Sequence, residues 1–220
     1  MEIIPAAVLM NTFLEALAQA GVDGPGHRRS ALVDVALRVL LVSVPRDIQL
    51  SYQDSTLRLA SRINDESTQE SEESWLTHTT AAIDPLGGVL EDRFDGAAVR
   101  ERCAEVVSPD YVQERVTQIG VAGMGFPWEI QELRRGGTDE LYGVIDTGAE
   151  GTATWASLLD GAMTITSVLF LGEPVVRMPS KIARLALLGD PPQRAQVHVR
   201  AADRVAGTDT VDVVVANLEY

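Results

Sequence analysis

Among the side chains able to move a proton, Asp160 has the most telling neighbours. It sits in Trp155-Ala156-Ser157-Leu158-Leu159-Asp160-Gly161-Ala162-Met163, an apolar run with helical spacing. An ionised carboxylate among Leu158, Leu159, Ala162 and Met163 is costly unless paired. Desolvation raises the pKa of such a carboxyl group, so it stays protonated and can act as an acid. A capping or solvated aspartate is the commoner occurrence, and residue type alone favours it.

No histidine stands out as the matching base. His27 lies in a Gly-Pro-Gly loop beside Arg28 and Arg29 and reads as solvated. His78 falls in a strand-like run and reads as a packing residue, while His198 alternates with Val197 and Val199 and reads as water-facing. The single cysteine, Cys103, lacks a His-Asn pattern and reads as a small apolar residue on a helix. It excludes an internal disulfide and suits a reducing, cytoplasmic setting. No His, Cys or carboxylate spacing suggests a metal site. Gly87-Gly88 lacks the strand-to-helix context of a phosphate loop.

Composition narrows the partners. Across 220 residues the net charge is −14, and Lys181 is the only lysine among 18 basic residues. Phosphate backbones need a basic surface, so nucleic acid is not an expected partner. No signal peptide is expected, since Glu2, Asn11 and Glu15 interrupt the first apolar stretch. The apolar segments 31–44 and 163–171 are too short or too polar to span a bilayer. The acidic run 64–73 (NDESTQESEE) reads as a solvated hairpin loop.

The elements that must position Asp160 follow from the patterning. Residues 5–19 predict a helix, with Pro5 in its first turn and Leu9, Phe13, Leu14 and Leu17 on one face. Residues 32–41, 46–52, 56–63 and 75–83 predict strands, and 84–95 a linker. Short helices are predicted over 97–107 and 109–118, a strand over 141–145, and an apolar helix from residue 154 towards 170. Strands at 175–188, 195–202 and 211–220 close the chain, with Val211, Val213 and Val215 on one face. Helix-then-strands thus occurs twice. The pattern fits an α+β double hot-dog, two fused units of a sheet wrapped round a central helix, with residues 1–95 and 96–220 as the units. A generic two-layer α+β domain is the other reading of the pattern.

Three stretches resemble the dehydratase domains of polyketide synthases, in that family's order and at about its spacing. Ile4-Pro5-Ala6-Ala7-Val8-Leu9-Met10 is similar to the opening helix, Trp75-Leu76-Thr77-His78 to a Trp-x-x-His strand, and Leu158-Leu159-Asp160-Gly161-Ala162 to the helix with the catalytic acid. Gly123-Met124-Gly125-Phe126-Pro127-Trp128 and Val176-Arg177-Met178-Pro179 resemble the iterative aromatic group of methylsalicylate, orsellinate and naphthoate synthases. The resemblance covers essentially the whole chain.

It implies that a β-hydroxyacyl thioester, carried on the phosphopantetheine arm of an acyl carrier protein, loses water. A base removes a proton at Cα while an acid protonates the leaving hydroxyl at Cβ. Asp160 is the implied acid, and no cofactor is bound directly. The family's base is the His of His-x-x-x-Gly-x-x-x-x-Pro. Pro5 fits the last position, and counting back puts the Gly and His before Met1. The expectation is that the chain as given has little or no dehydratase activity. Four residues after the acid, where many dehydratases carry Gln or His, stands Thr164. Phe126, Pro127 and Trp128 are expected to wall the acyl pocket with Pro5 and Thr164, or to fill the core beneath their loop. Arg177, Lys181, Arg184, Arg194, Arg200 and Arg204 are a candidate docking face for the acidic carrier protein, although ordinary solvated strand faces are the commoner outcome. The implied partners are the carrier protein, neighbouring synthase domains and a second copy of the chain. Two other roles share the resemblance: thioester hydrolysis releasing an aromatic product, and a non-catalytic scaffold holding the chain.

Overall fold

The computed structural model describes residues 3–21, 29–63, 75–84, 94–120, 125–148, 154–169, 178–202 and 209–218. His27, Gly87, Gly88, Gly123, Met124, Val176, Arg177, Arg204 and the acidic run 64–73 lie outside them. In chain order the elements are α1 (Ala6–Gln19), β1 (Arg29–Leu37), β2 (Arg46–Gln53), β3 (Thr56–Ile63), β4 (Leu76–Ile83), α2 (Gly96–Arg102), β5 (Glu105–Val107), α3 (Tyr111–Gln118), β6 (Glu129–Gly136), β7 (Glu140–Asp146), α4 (Trp155–Ser167), β8 (Lys181–Leu188), β9 (Arg194–Ala201) and β10 (Val211–Asn217).

They build two compact units, residues 1–91 with 179–190, and residues 92–178 with 191–220. Each holds a five-stranded antiparallel sheet: β2-β3-β4-β1-β8 in the first and β10-β9-β7-β6-β5 in the second. This is the double hot-dog fold. The division differs from the simple cut at residues 95 and 96. β8 lies late in the chain but pairs with β1, running from Arg29 opposite Leu188 to Ala36 opposite Lys181.

In the first unit, α1 buries Ala7, Leu9, Met10, Phe13, Leu14 and Leu17, the apolar stripe read from the sequence. Pro5 occupies its N-cap at φ −58°, a backbone angle that proline has already set. The Ile4 amide just before it donates to the Leu41 carbonyl at 2.8 Å, anchoring the helix entry. A bulge interrupts β1 between Val33 and Ala36, where Asp34 takes φ 51°. Strands β2, β3 and β4 form the expected meander.

The second unit departs more from the sequence pattern. The stretch 97–107 is not one helix: α2 ends at Arg102 and the chain continues as β5. β6 over Glu129–Gly136, which the patterning left unassigned, pairs with β7. The unit's central helix therefore follows two of its main strands and is followed by two more, so the helix-then-strands order does not repeat. β8 begins at Lys181, later than the strand predicted over 175–188.

β7 shows why this sheet is covered on both faces. Leu141 and Ile145 enter a core with Leu158, Ala162 and Ile165 of α4 and with Val197 and Val199 of β9. The alternate residues Tyr142 and Val144 pack with Val99 and Cys103 at α2. Gly143 faces α4, where a Cβ would stand 3.2 Å from Ile165 Cδ1. Thr154 caps α4, its hydroxyl accepting from the Ser157 amide at 3.3 Å.

Candidate active site

Asp160 lies in the second turn of α4. The helix buries Ala156, Ser157, Leu158, Leu159, Gly161, Ala162 and Ile165 in its unit. Asp160, Met163, Thr164 and Ser167 form a half-buried stripe at i, i+3, i+4 and i+7. The carboxyl group thus stands at a boundary between core and open surface of its unit.

The hydroxyls of that stripe are spent on the helix itself. Thr164 Oγ1 donates to the Asp160 backbone carbonyl at 2.7 Å, and Ser167 Oγ donates to the Thr164 carbonyl at 2.6 Å. Thr164 therefore touches the acid's backbone and not its carboxyl group.

The carboxyl group is held by Trp128, whose indole Nε1–H donates to Asp160 Oδ2 at 2.9 Å. Among the described residues Oδ1 accepts no hydrogen bond. Trp128 ends the Phe126-Pro127-Trp128 segment just before β6, and its own amide donates to the Phe126 carbonyl at 3.0 Å, turning the chain sharply there. Gly161 makes the seat for the ring. A Cβ at this position would lie 3.3 Å from Trp128 Cδ2 and 2.8 Å from Ile145 Cδ1. Burial pushes the Asp160 carboxyl above the ordinary aspartate range, and the indole hydrogen bond, which favours the charged form, partly offsets that rise.

Of the residues the sequence nominated, the structure brings Asp160, Thr164 and Trp128 together. Phe126 is half-buried and Pro127 exposed in the segment leading to Trp128. Pro5 belongs to the first unit, at the entry to α1. Sequence reasoning missed Gly161. Its signal was present, because a glycine inside a helix costs about 1 kcal/mol relative to alanine and so asks for a packing reason.

The other titratable groups have structural duties. His78 is buried; Nδ1 meets the Val39 carbonyl at 3.0 Å and Nε2 meets Ser61 Oγ at 2.7 Å. A carbonyl only accepts, so Nδ1 carries the proton and Nε2 accepts from the serine. His198 does not face water: Nε2 meets Glu140 Oε1 at 2.7 Å, and its ring stacks on Phe94. Cys103 is buried, and desolvation reinforced by Glu140 pushes its thiol up to about 11, so it is protonated at neutral pH and a poor nucleophile. Of the candidate docking cations, three are paired: Lys181 with Asp34, Arg184 with Asp84 and Arg194 with Asp146. Among the described residues no three His, Cys, Asp or Glu side chains converge as metal ligands, and no helix is long and apolar enough to cross a membrane.

No protein-family model matches the chain. It is 34% identical over 230 residues to a 6-methylsalicylic acid synthase of Arthrobotrys oligospora, and 32% identical over 227 residues to a 5-methyl-1-naphthoate synthase of Streptomyces sahachiroi. Each match takes in 99% of the chain but spans 12% of the relative's length. Among solved structures, the dehydratase domain of RzxB from Pseudomonas fluorescens superposes with a TM-score of 0.72 at 21% identity, covering 99% of this chain and 81% of that one. The dehydratase domain from the CurJ module of curacin polyketide synthase gives 0.74 at 14% identity, covering 98% and 78%. The fold is that of a dehydratase-type double hot-dog. The chain belongs to the family of the 6-methylsalicylic acid and 5-methyl-1-naphthoate synthases, of whose length it spans about an eighth, and its fold is the one seen in polyketide synthase dehydratase domains.

Proposed function

We propose that this domain dehydrates a β-hydroxyacyl thioester held on the phosphopantetheine arm of an acyl carrier protein, with Asp160 as the acid. The observation that carries the reading is the carboxyl group itself. It is half-buried on α4, raised in pKa by desolvation, anchored through one oxygen, and among the described residues accepts no hydrogen bond at the other. An acid that must protonate a leaving hydroxyl near neutral pH needs those properties. The proton passes from Asp160 to the Cβ hydroxyl, the C–O bond breaks, and water leaves. The imidazole of the family's His-x-x-x-Gly-x-x-x-x-Pro motif, of which this chain carries Pro5, takes the Cα proton, and an enoyl thioester remains. Phe126, Pro127, Trp128 and Thr164 of the second unit are the proposed lining of the acyl pocket. The carrier protein and neighbouring synthase domains are the proposed partners, and the domain acts as a homodimer.

The test is incubation of the chain, extended to carry the family's full His-x-x-x-Gly-x-x-x-x-Pro motif, with a β-hydroxyacyl pantetheine thioester, beside its Asp160→Asn variant, with mass-spectrometric reading of the products; the chain as given should show little or no turnover. An enoyl thioester lost in the variant supports dehydration. A free acid lost in the variant assigns thioester hydrolysis instead, and products insensitive to the substitution leave a scaffold role. Sedimentation at micromolar protein tests the dimer, which a monomer would refute.

A further inference from the structure

We propose that Trp128 is the positioning residue for Asp160: its indole N–H claims Oδ2 and so makes Oδ1 the oxygen that gives its proton to the substrate. The inference rests on the dehydration reading for its catalytic meaning, but the geometry stands apart from it.

An indole N–H is a donor and nothing else. The oxygen it holds at 2.9 Å must accept, and in a protonated carboxyl group the carbonyl oxygen is the better acceptor. The acid proton is thereby directed to Oδ1, which accepts no hydrogen bond from the described residues. The same hydrogen bond strengthens once Asp160 has lost its proton, because bonds to an ionised acceptor are roughly twice as strong as neutral ones. Trp128 therefore favours the product side of the proton transfer, and it opposes the burial that would otherwise make Asp160 too weak an acid.

The surroundings are built for this pairing. Gly161 directly follows the acid and leaves room for the ring, where any larger residue would press on Trp128 Cδ2 and Ile145 Cδ1. The rival donor on the helix, the Thr164 hydroxyl, is committed to the Asp160 backbone carbonyl. Trp128 is packed against the core that holds Leu158 and Ile145, which fixes the ring plane. A pocket wall needs no aligned N–H, whereas this indole has one aimed at the reactive carboxyl group.

The test follows the Asp160 carboxyl carbon and the three tryptophan indole N–H resonances by NMR as pH is changed. In the unsubstituted chain the Trp128 indole proton should move through one transition that tracks Asp160, with a midpoint above the ordinary 3.8, and the transition should vanish in Asp160→Asn. In Trp128→Phe the Asp160 midpoint should rise, because the charged form loses the hydrogen bond that supports it. An indole proton blind to the Asp160 titration overturns the proposal, as does an unchanged or lowered midpoint in Trp128→Phe. The indole measurement needs no variant to fold at Trp128. It also separates the two readings: tracked titration without turnover in the chain extended to carry the full His-x-x-x-Gly-x-x-x-x-Pro motif removes the dehydratase assignment alone, and turnover there without tracked titration removes the role of Trp128 alone.

Discussion

His78 in the first unit and Asp160 in the second are both titratable side chains drawn out of water, yet they are finished differently. His78 is 1% exposed and both ring nitrogens are engaged, with Val39 on one side and Ser61 on the other. Ser61 Oγ in turn accepts from Arg46 Nη1 at 2.7 Å, so the network ties β2, β3 and β4 to the segment after β1. Asp160 is half-buried, one oxygen is engaged, and the other accepts nothing from the described residues. A Ser-His pair at 2.7 Å looks like a nucleophile and its base on paper. Burial and saturation make it a brace. A single carboxyl group with an oxygen that no described residue claims is the better equipped for chemistry.

The largest effect should come from removing the acid. In a chain that carries the family's full His-x-x-x-Gly-x-x-x-x-Pro motif, Asp160→Asn is expected to lower turnover of a β-hydroxyacyl pantetheine thioester by about 10²–10⁴-fold, the usual share of general acid catalysis. Its stability should move the other way. The folded-state pKa of Asp160 is raised, so the folded chain holds this proton more tightly than the unfolded one. Stability is therefore lost as pH rises from the ordinary aspartate range through the raised folded-state pKa, and stays lost above it. The Asn variant lacks that loss. Urea denaturation should find it no less stable than the parent at neutral pH, with the difference shrinking in acid. A variant clearly less stable at neutral pH would make Asp160 a structural residue and collapse the contrast.

His78→Ala should act on the fold. It strands the Val39 carbonyl and leaves Ser61 and Arg46 without the ring, in a region where Arg46 Nε already lacks a hydrogen-bond partner. Breaking a buried polar network of this kind costs about 2–4 kcal/mol, readable as a fall in the urea midpoint. Loss of turnover at unchanged stability would instead give His78 a chemical role.

Gly161→Ala should fall between the two. Alanine gains about 1 kcal/mol of helix propensity but overpacks the seat of the indole, and overpacking costs about 1–3 kcal/mol. A net destabilisation of about 1 kcal/mol is expected, with the Asp160 midpoint raised as Trp128 is displaced. Unchanged stability and midpoint would show that the ring does not depend on this glycine.

The sequence made some of this legible through spacing and hid the rest in long-range pairing. The stripe of Leu9, Phe13, Leu14 and Leu17 announced α1 because helical periodicity is local. Asp160 was conspicuous because its apolar neighbours are adjacent in sequence. β6 was missed because Glu129-Ile130-Gln131-Glu132-Leu133-Arg134-Arg135 is mostly charged and polar, and its strand state is imposed by pairing with β7 and β5. The return of β8 to β1 carries no local signal at all, since either sheet accepts an apolar strand. The Trp128 contact spans 32 residues, and no periodicity encodes a partner at that distance. His198 was misread for a related reason: alternation assigned it a face but not the Glu140 carboxylate and Phe94 ring that cover that face.

Thr164→Val gives the smallest effect and the finest discrimination. Threonine follows the acid by four residues, and its hydroxyl lies one turn from the carboxyl group, so proximity alone would credit it with orienting Asp160. Its hydrogen bond goes to the helix carbonyl, which already accepts from the backbone; such side-chain bonds add little and compete with regular helix. Valine keeps the shape and loses only that bond, so stability should change by less than about 1 kcal/mol, and the Asp160 midpoint should stay where it was. Trp128→Phe should shift that midpoint while Thr164→Val does not, although both sites lie against the same aspartate. A midpoint that moved with Thr164 and ignored Trp128 would reverse the assignment, making the hydroxyl the orienting group and the indole a wall.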